Sequence, residues 1–391
     1  MSIDSTPESA KQSTPLLDFN GHVFEVNKLD LKKTRIEPLA IQQTRVKNEV
    51  ILNVDKFALT ANNISYGITG DTLGYWRFFP PQTLSRESKS SNNQWGRLPV
   101  MGFATVVSSN NHEIQVGEKV WGFMPMATHV KILAGKISDL GFSDVSPYRG
   151  GLAPLYAAFE RVKSNPFHSI EHEDYEILVR GLFITSWLVD DFMDDNQYFG
   201  ASQYLITSAS SKTSIALAFA VKKRRRRPSI GITSSKNKAF VESLDCYDQV
   251  ISYDKITHLN ADTPSILVDM AGGKATLTAI HCHFTEQLRY SCRIGATHHS
   301  DMLPADIAKD FGLPGAVPTF FFAPTQLKKR TKDWGSKETM KQIGYSLQGY
   351  IDFCQSVMSI EHTTDKNDID AIYQRILSGT ADASTGQIVS L

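Results

Sequence analysis

Between residues 204 and 295 the chain alternates short apolar runs with helix-forming stretches, and few folds accommodate that pattern. Residues 204–208 predict a strand, 213–221 a small-residue helix, 229–233 a second strand and 236–244 a second helix. Residues 249–252 and 265–270 follow as strands, then a helix from about Lys274 and a strand over 290–295. Strand and helix alternating at this pitch imply right-handed βαβ units and a buried parallel sheet.

The flanks read differently. From residue 19 to about 147 the sequence offers short strands and turns, with β-branched residues at 23–26, 50–54 and 102–107. Residues 85–96 are Ser- and Asn-rich and predict a surface loop. Near the end, Ile369, Ile372, Tyr373 and Ile376 are spaced as on one helix face, Gly379 is a stop signal, and 387–391 form a last strand. Residues 342–353 carry Ile343, Leu347, Tyr350 and Ile351 at helical spacing, the mark of a core-facing helix.

Composition narrows the function classes. Lys+Arg and Asp+Glu both number 41, so no global field attracts nucleic acid or an anionic membrane. The richest apolar stretch, 181–189, is far too short to span a bilayer. Residues 1–18 are polar and predict a flexible tail, not a signal peptide. Cys246, Cys282, Cys292 and Cys354 form no CxxC pair, which fits reduced thiols in a cytoplasmic protein.

In a βαβ nucleotide site, the diphosphate sits at the N-terminus of the helix after the first strand, drawn by unpaired N–H groups and the helix dipole. The segment at that place is Ser208, Ala209, Ser210, Ser211, Lys212 and Thr213. It lacks the G-x-G-x-x-G glycines, but small residues still allow close backbone approach, the hydroxyls add donors and Lys212 adds a cation. An ordinary N-capped helix explains the same residues. The next βα turn is Thr233, Ser234, Ser235 and Lys236. An NAD site places a carboxylate there for the ribose 2′-OH. Hydroxyls and a lysine suit a 2′-phosphate instead, so NADP(H) is the expected cofactor; Ser235 serves equally as a helix cap. Tyr253 follows the third strand, against the adenosine part or simply at the surface.

With these segments in view, the chain resembles the medium-chain dehydrogenase/reductase superfamily. Residues 50–71, including Leu59, Asn62, Asn63 and Tyr66, resemble the start of its catalytic domain. Residues 99–107 with 116–125 resemble its hairpin, with Gly117 and Gly122 at the turns. The closing helix and strand match too. Residues 59–64, 208–213, 320–329 and 333–335 are similar to a quinone-reductase-like branch without an agreed function.

The resemblance implies an α/β fold: a Rossmann doubly wound parallel sheet plus a GroES-like partial β-barrel catalytic domain. The implied division is a tail over 1–18, the first part of the catalytic domain over 19–150, the dinucleotide-binding domain over 151–355 and a return to the catalytic domain over 356–391. Zinc-dependent members have Gly-His-Glu where this chain has Gly102, Phe103 and Ala104, and no Cys precedes residue 246, so no metal is expected. By the same analogy Met270, Ala271, Thr297, His298 and Phe322 contact cofactor. Asn62, Asn63, Tyr66 and Tyr75 are the candidate catalytic groups, with an Asn placing substrate or nicotinamide and a Tyr or water giving a proton. Tyr66, Tyr75, Trp76, Phe78 and Phe79 either line an aromatic pocket or fill the barrel core.

The implied activity is hydride transfer from NADPH to a small carbonyl, enone or quinone, by a protein that is a homodimer by analogy. The alternative is a non-catalytic NADPH-binding or scaffold protein. His281, Cys282, His283, His298 and His299 look like metal ligands, but neighbours at i and i+2 leave a helix in different directions; structural roles are expected. The basic run 222–227 admits a nuclear-localisation or nucleic-acid reading, but the stronger one is a helix end, where the dipole favours cations and Pro228 stops the helix.

Overall fold

A computed structural model describes residues 16–81, 94–270, 273–294 and 312–391. Most of the expected tail therefore lies outside the described residues, as does most of the loop expected over 85–96.

The first half contains β1 (Asp18–Asn27), β2 (Thr34–Gln42), β3 (Glu49–Leu59), α1 (Ala61–Ile68), β4 (Trp95–Gly96), β5 (Pro99–Ser109), β6 (Lys119–Pro125), β7 (His129–Ser138), β8 (Gly141–Asp144) and β9 (Ala158–Arg161). β1 pairs with β2 and β4. Strands β3, β5, β6, β9, β8 and β7 pair antiparallel in that order, and β7 pairs back onto β3, so the ring closes. Closure leaves no free edge within the ring. Val50, Leu52, Val100, Val106 and Val120 are buried within it. Gly117, expected at a turn, has φ of 90° ahead of β6. Gly122, also expected at a turn, lies instead inside β6. A Cβ there would come within 2.7 Å of the Ala158 carbonyl oxygen, so close strand approach explains that glycine.

The second half contains α2 (Glu173–Asp195), β10 (Gln203–Thr207), α3 (Lys212–Arg224), β11 (Ser229–Thr233), α4 (Lys238–Ser243), β12 (Gln249–Ser252), β13 (Ser265–Asp269), α5 (Lys274–Phe284), β14 (Leu288–Arg293), β15 (Pro318–Phe320), α6 (Ala323–Trp334) and α7 (Ser336–Val357). Its six strands are all parallel, in the order β12-β11-β10-β13-β14-β15. Residues Tyr204, Leu205, Ile206 and Thr207 are all buried, as a central strand covered on both faces requires. Leu277, Ile280 and Phe284 of α5 pack on one face of the sheet. α2, α3 and α7 pack on the other. The chain then returns: β16 (Ser359–Thr363), α8 (Lys366–Leu377) and β17 (Thr385–Val389) follow, and β17 pairs antiparallel with β3.

α2 is the element that sequence reading leaves unplaced, because its buried residues run around most of the helix and blur the period. It joins the two halves through ions. At its start Glu173 meets Lys56 of β3 and Lys119 of β6. Burial opposes ionisation of Glu173, but the two lysines override it and hold its carboxyl below the ordinary range. Arg180 pairs with Glu176 and reaches Glu160 of β9, and its guanidinium lies 4.0 Å over the Trp121 ring. At its end Asp190 pairs with Arg224 and Asp191 with Arg330.

Three residues of the basic run are engaged within the fold. Lys222 pairs with Asp245, Arg224 with Asp190 and Asp194, and Arg227 donates to the Ala201 carbonyl. α4 begins at Lys238, later than the expected 236, since Ser235, Lys236 and Asn237 form a turn. Among the described residues, no helix is long and apolar enough to cross a membrane.

Candidate cofactor and substrate cleft

In an open parallel sheet, ligands bind beyond the strand ends where the winding reverses. Here that point lies between β10 and β13, and a cleft of about 440 Å³ opens there against the first half of the chain.

The loop from β10 to α3 forms one wall. Ser208 has φ of 50°, the left-handed conformation that glycine normally supplies. Its N–H donates to the Tyr253 hydroxyl at 3.2 Å. The Ala209 N–H donates to the Ile232 carbonyl, and the Ala209 carbonyl accepts from the Tyr247 hydroxyl at 2.9 Å. Ser211 caps α3, its oxygen accepting from the Ser214 N–H, and the Ser214 hydroxyl donates to the Thr207 carbonyl. Among the described residues the N–H groups of Lys212 and Thr213 have no such partner and stand at the positive end of α3.

The missing loop glycines have a counterpart in Gly231 of β11. A Cβ at Gly231 would lie 2.9 Å from the Tyr247 ring and 3.1 Å from the Ala209 Cβ. Close approach is retained, but the residue without a side chain sits in the neighbouring strand.

The turn after β11 lies beside this loop. Asn237 donates from Nδ2 to the Ser210 hydroxyl at 2.9 Å, and Thr233 Oγ1 lies 3.5 Å from the same oxygen. Ser234, not Ser235, takes the N–H of Asn237. Ser235 and Lys236 are exposed. Asn237 lines the cleft and was missed in the sequence, because an Asn before a short helix reads as an ordinary cap.

Lys212 does not extend freely toward solvent. Its Nζ donates to the Thr385 carbonyl at 2.9 Å, with the Ala383 carbonyl at 3.5 Å, and so ties α3 to the returning segment before β17. Burial is the main cause that lowers its pKa, to about 8; Cys354 and Asp382 act in the opposite sense. Tyr253 is not displayed at the surface, since its hydroxyl is engaged with Ser208. Met270 and Phe322 both line the cleft, and the Met270 N–H donates to Thr207 Oγ1. Ala271, Thr297 and His298 lie outside the described residues, as does His299.

The opposite wall is aromatic. Tyr66 and Tyr75 line the cleft with ring centroids 4.3 Å apart, and Tyr156 and Phe123 complete the group. Asn62 donates from Nδ2 to the Tyr66 hydroxyl at 2.6 Å, leaving that phenol's own proton available. Burial, then the neighbouring phenols, raise the pKa of Tyr66 and Tyr75 far above the usual value, so both stay neutral donors. All five rings, Tyr66, Tyr75, Trp76, Phe78 and Phe79, belong to the barrel core, and of these Tyr66 and Tyr75 also line the cleft.

Asn63 is a correction to the sequence reading. Its Oδ1 accepts from the Thr60 N–H and its Nδ2 donates to the Pro99 carbonyl, so the buried amide holds α1 on β5 and is spent structurally. His281 bonds to Pro314 and Ser291, and His283 to the Leu259 carbonyl, both inside the fold as expected.

With the cleft described, comparison with solved structures defines the class. The chain shares the fold of medium-chain dehydrogenases/reductases. The YhdH oxidoreductase from Salmonella enterica in complex with NADP is 11% identical, covering 95% of this chain and 100% of that one, with a TM-score of 0.53. CurA from Vibrio vulnificus in complex with NADPH is 13% identical over 94% and 98%, with a TM-score of 0.57. A mutant enoyl thioester reductase from Candida tropicalis is 13% identical over 95% and 100%, with a TM-score of 0.53. At these identities the likeness is one of fold. The family is given by sequence: residues 57–382 match the model described as "Protein of unknown function (DUF2855)", and the chain belongs to that family. No curated protein matches it.

Proposed function

We propose that the protein is an NADPH-dependent reductase that delivers hydride to a small carbonyl, enone or quinone without a metal. The observation that carries this reading is the paired turns at the switch of the parallel sheet. Ser210, Thr233 and Asn237 are joined there, Lys236 is exposed beside them, and residues 233–237 include no carboxylate. The N-terminal N–H groups of α3 and the NADP(H) complexes of fold neighbours support the same reading. The division into a GroES-like barrel, 19–150 with 356–391, around a Rossmann domain, 151–355, is part of the proposal.

Bound NADPH would supply the hydride. The chain's own residues would do the rest. The N–H groups of Lys212 and Thr213 would hold the diphosphate; Lys236, Ser234 and Ser235 would hold the 2′-phosphate. Met270 and Phe322 would border the cofactor. Tyr66, fixed by Asn62, would donate a hydrogen bond to the oxygen on which charge develops. Burial keeps this phenol protonated, so it stands ready as a hydrogen-bond donor to that charge, and the proton that completes the product comes ultimately from water. Tyr75 would back Tyr66 in the aromatic wall that keeps bulk water out.

A non-catalytic NADPH-binding or scaffold role is the second reading, favoured by one observation: among the described residues the aromatic side of the cleft presents no acid/base pair, its charged groups Glu160 and Arg180 being paired with each other. Fluorescence titration with NADPH and NADH tests the common ground, with tighter NADPH binding expected. Folded protein that binds neither removes both readings. NADPH oxidation across carbonyls, enones and quinones then separates them, and binding without any turnover leaves the scaffold.

A further inference from the structure

The proposed reductase site has a wall chemistry that narrows its substrate. We propose that the reducible group belongs to a large apolar molecule whose hydrocarbon body lies across the cleft mouth, and that it is not carried on a phosphate-bearing thioester. This rests on the reductase reading above.

The mouth is the first observation. Leu73 and Leu155 come from the first half of the chain, and Phe320, Phe322 and Met340 from the second. All five line the same cleft, yet each is 36–45% exposed. Single exposed apolar residues are common, but five converging on one opening from both halves mark a surface that something apolar covers. Behind them the lining stays apolar, through Leu182, Ile184 and Leu188 of α2 and Leu327 and Ile343 of α6 and α7.

Charge is the second observation. On the aromatic side of the cleft the charged lining groups are Glu160 and Arg180. Arg180 is itself buried, held by Glu176 and Glu160 and stacked on Trp121. Its charge is already paired with two carboxylates. Lys212 and Asp382 stand at the other end, by the diphosphate loop. Among the described residues a multiply phosphorylated handle thus finds no unpaired cation on the aromatic side of the cleft, whereas an alkyl or aryl body finds a continuous apolar wall.

The test is a series of α,β-unsaturated ketones of four, eight and twelve carbons, with crotonyl-CoA as the charged comparison. Each turnover moves one hydride from NADPH to the β-carbon and one proton from water to the α-carbon, releasing NADP+. kcat/KM is expected to rise at least about tenfold from four to twelve carbons, through KM, and crotonyl-CoA to do no better than the four-carbon ketone. Tenfold, about 1.4 kcal/mol, requires fewer than two buried methylenes at about 0.8 kcal/mol each. Leu155→Asp should collapse the preference for the long ketone, with NADPH titration reporting that the variant is folded and holds cofactor.

Protein that binds NADPH but shows flat or falling kcat/KM with length, or prefers crotonyl-CoA, overturns the apolar-body proposal alone. Protein that binds no NADPH overturns the reading beneath it. Binding of the ketones, followed by tryptophan fluorescence, covers the case of no turnover. Affinity rising tenfold with length supports the apolar site while removing the reductase reading, and affinity independent of length removes both.

Discussion

The two walls of the cleft solve different problems with different residues. The wall at the end of the parallel sheet is built from small hydroxyls, the N-terminal N–H groups of α3, Asn237 and Lys212, all within residues 208–237. The wall from the barrel is built from Tyr66, Tyr75, Phe123 and Tyr156, which lie far apart in sequence and meet only in the fold. The first wall offers directional bonds to a ligand of fixed shape; the second offers area and excludes water. The first is therefore local and the second is a product of packing, and substitutions should separate them.

The largest effect is expected where the walls are joined. Arg180 sits on α2, but its partners include Glu160 on β9, and its removal leaves Glu176 buried beside fewer positive partners. Breaking such a pair costs about 3–5 kcal/mol. Arg180→Met should lower stability by that order in denaturant unfolding. A loss below about 1 kcal/mol would mean that the two halves do not depend on this link.

Next comes the packing beneath the polar wall. Gly231→Val forces a side chain against Tyr247 and Ala209, and overpacking of this kind costs about 1–3 kcal/mol. The strain falls on the loop itself, so NADPH affinity should drop more than thermal stability alone explains. Isothermal titration at a temperature where the variant is fully folded checks this. Unchanged affinity would detach Gly231 from the loop.

How much of this was legible in the sequence follows the same division. The parallel sheet was readable because a strand buried on both faces is a continuous apolar run, as at Tyr204–Thr207, and its helices alternate with it. The place of the proposed diphosphate loop followed from that alone. Gly231 was not readable as the loop's partner, since the reason for it is a cross-strand contact. Asn62 and Asn63 are adjacent and alike in sequence, yet one faces the cleft and the other is consumed beneath α1. Only the burial of the Asn63 amide against Pro99 separates them. The lysine at 212 was read as a phosphate cation from its position; its bond to the Thr385 carbonyl, 173 residues away in sequence, has no local signal.

Smaller effects probe single charges on the polar wall. Lys236→Ala should weaken NADPH by up to about tenfold, below the full worth of a charged hydrogen bond because solvent screens an exposed lysine, and leave NADH nearly unchanged. Equal losses for both cofactors would remove Lys236 from the 2′-phosphate. Lys212 should give a pH signature instead. Its free-protein pKa is lowered to about 8 by burial, so between about pH 8 and the ordinary value of 10.5 the unfolded chain holds a proton that the folded one has released. Stability from this group therefore rises with pH across that window. Cofactor binding has the opposite sign: a diphosphate beside the amine raises its pKa, and above pH 8 binding must take up a proton. NADPH affinity should fall by up to about tenfold from pH 8 to 9, the ceiling for one linked proton. Lys212→Met should bind more weakly at pH 7 and lose this dependence, and a slope that persists in the variant would assign it elsewhere.

The smallest effect tests the exchange of glycine for serine most directly. Ser208 holds a left-handed backbone that costs a non-glycine residue about 1–2 kcal/mol. Ser208→Gly relieves that strain but returns about 0.4–1 kcal/mol of freedom to the unfolded chain. The net is a stabilisation of about 1 kcal/mol or less, visible as a small rise in melting temperature. The Tyr253 bond to the residue 208 N–H does not involve the serine side chain, so it should survive the change. If the glycine variant is instead less stable, the serine hydroxyl contributes more than its backbone strain costs, and this wall is polar because its side chains hold the loop shut as well as because they face a ligand.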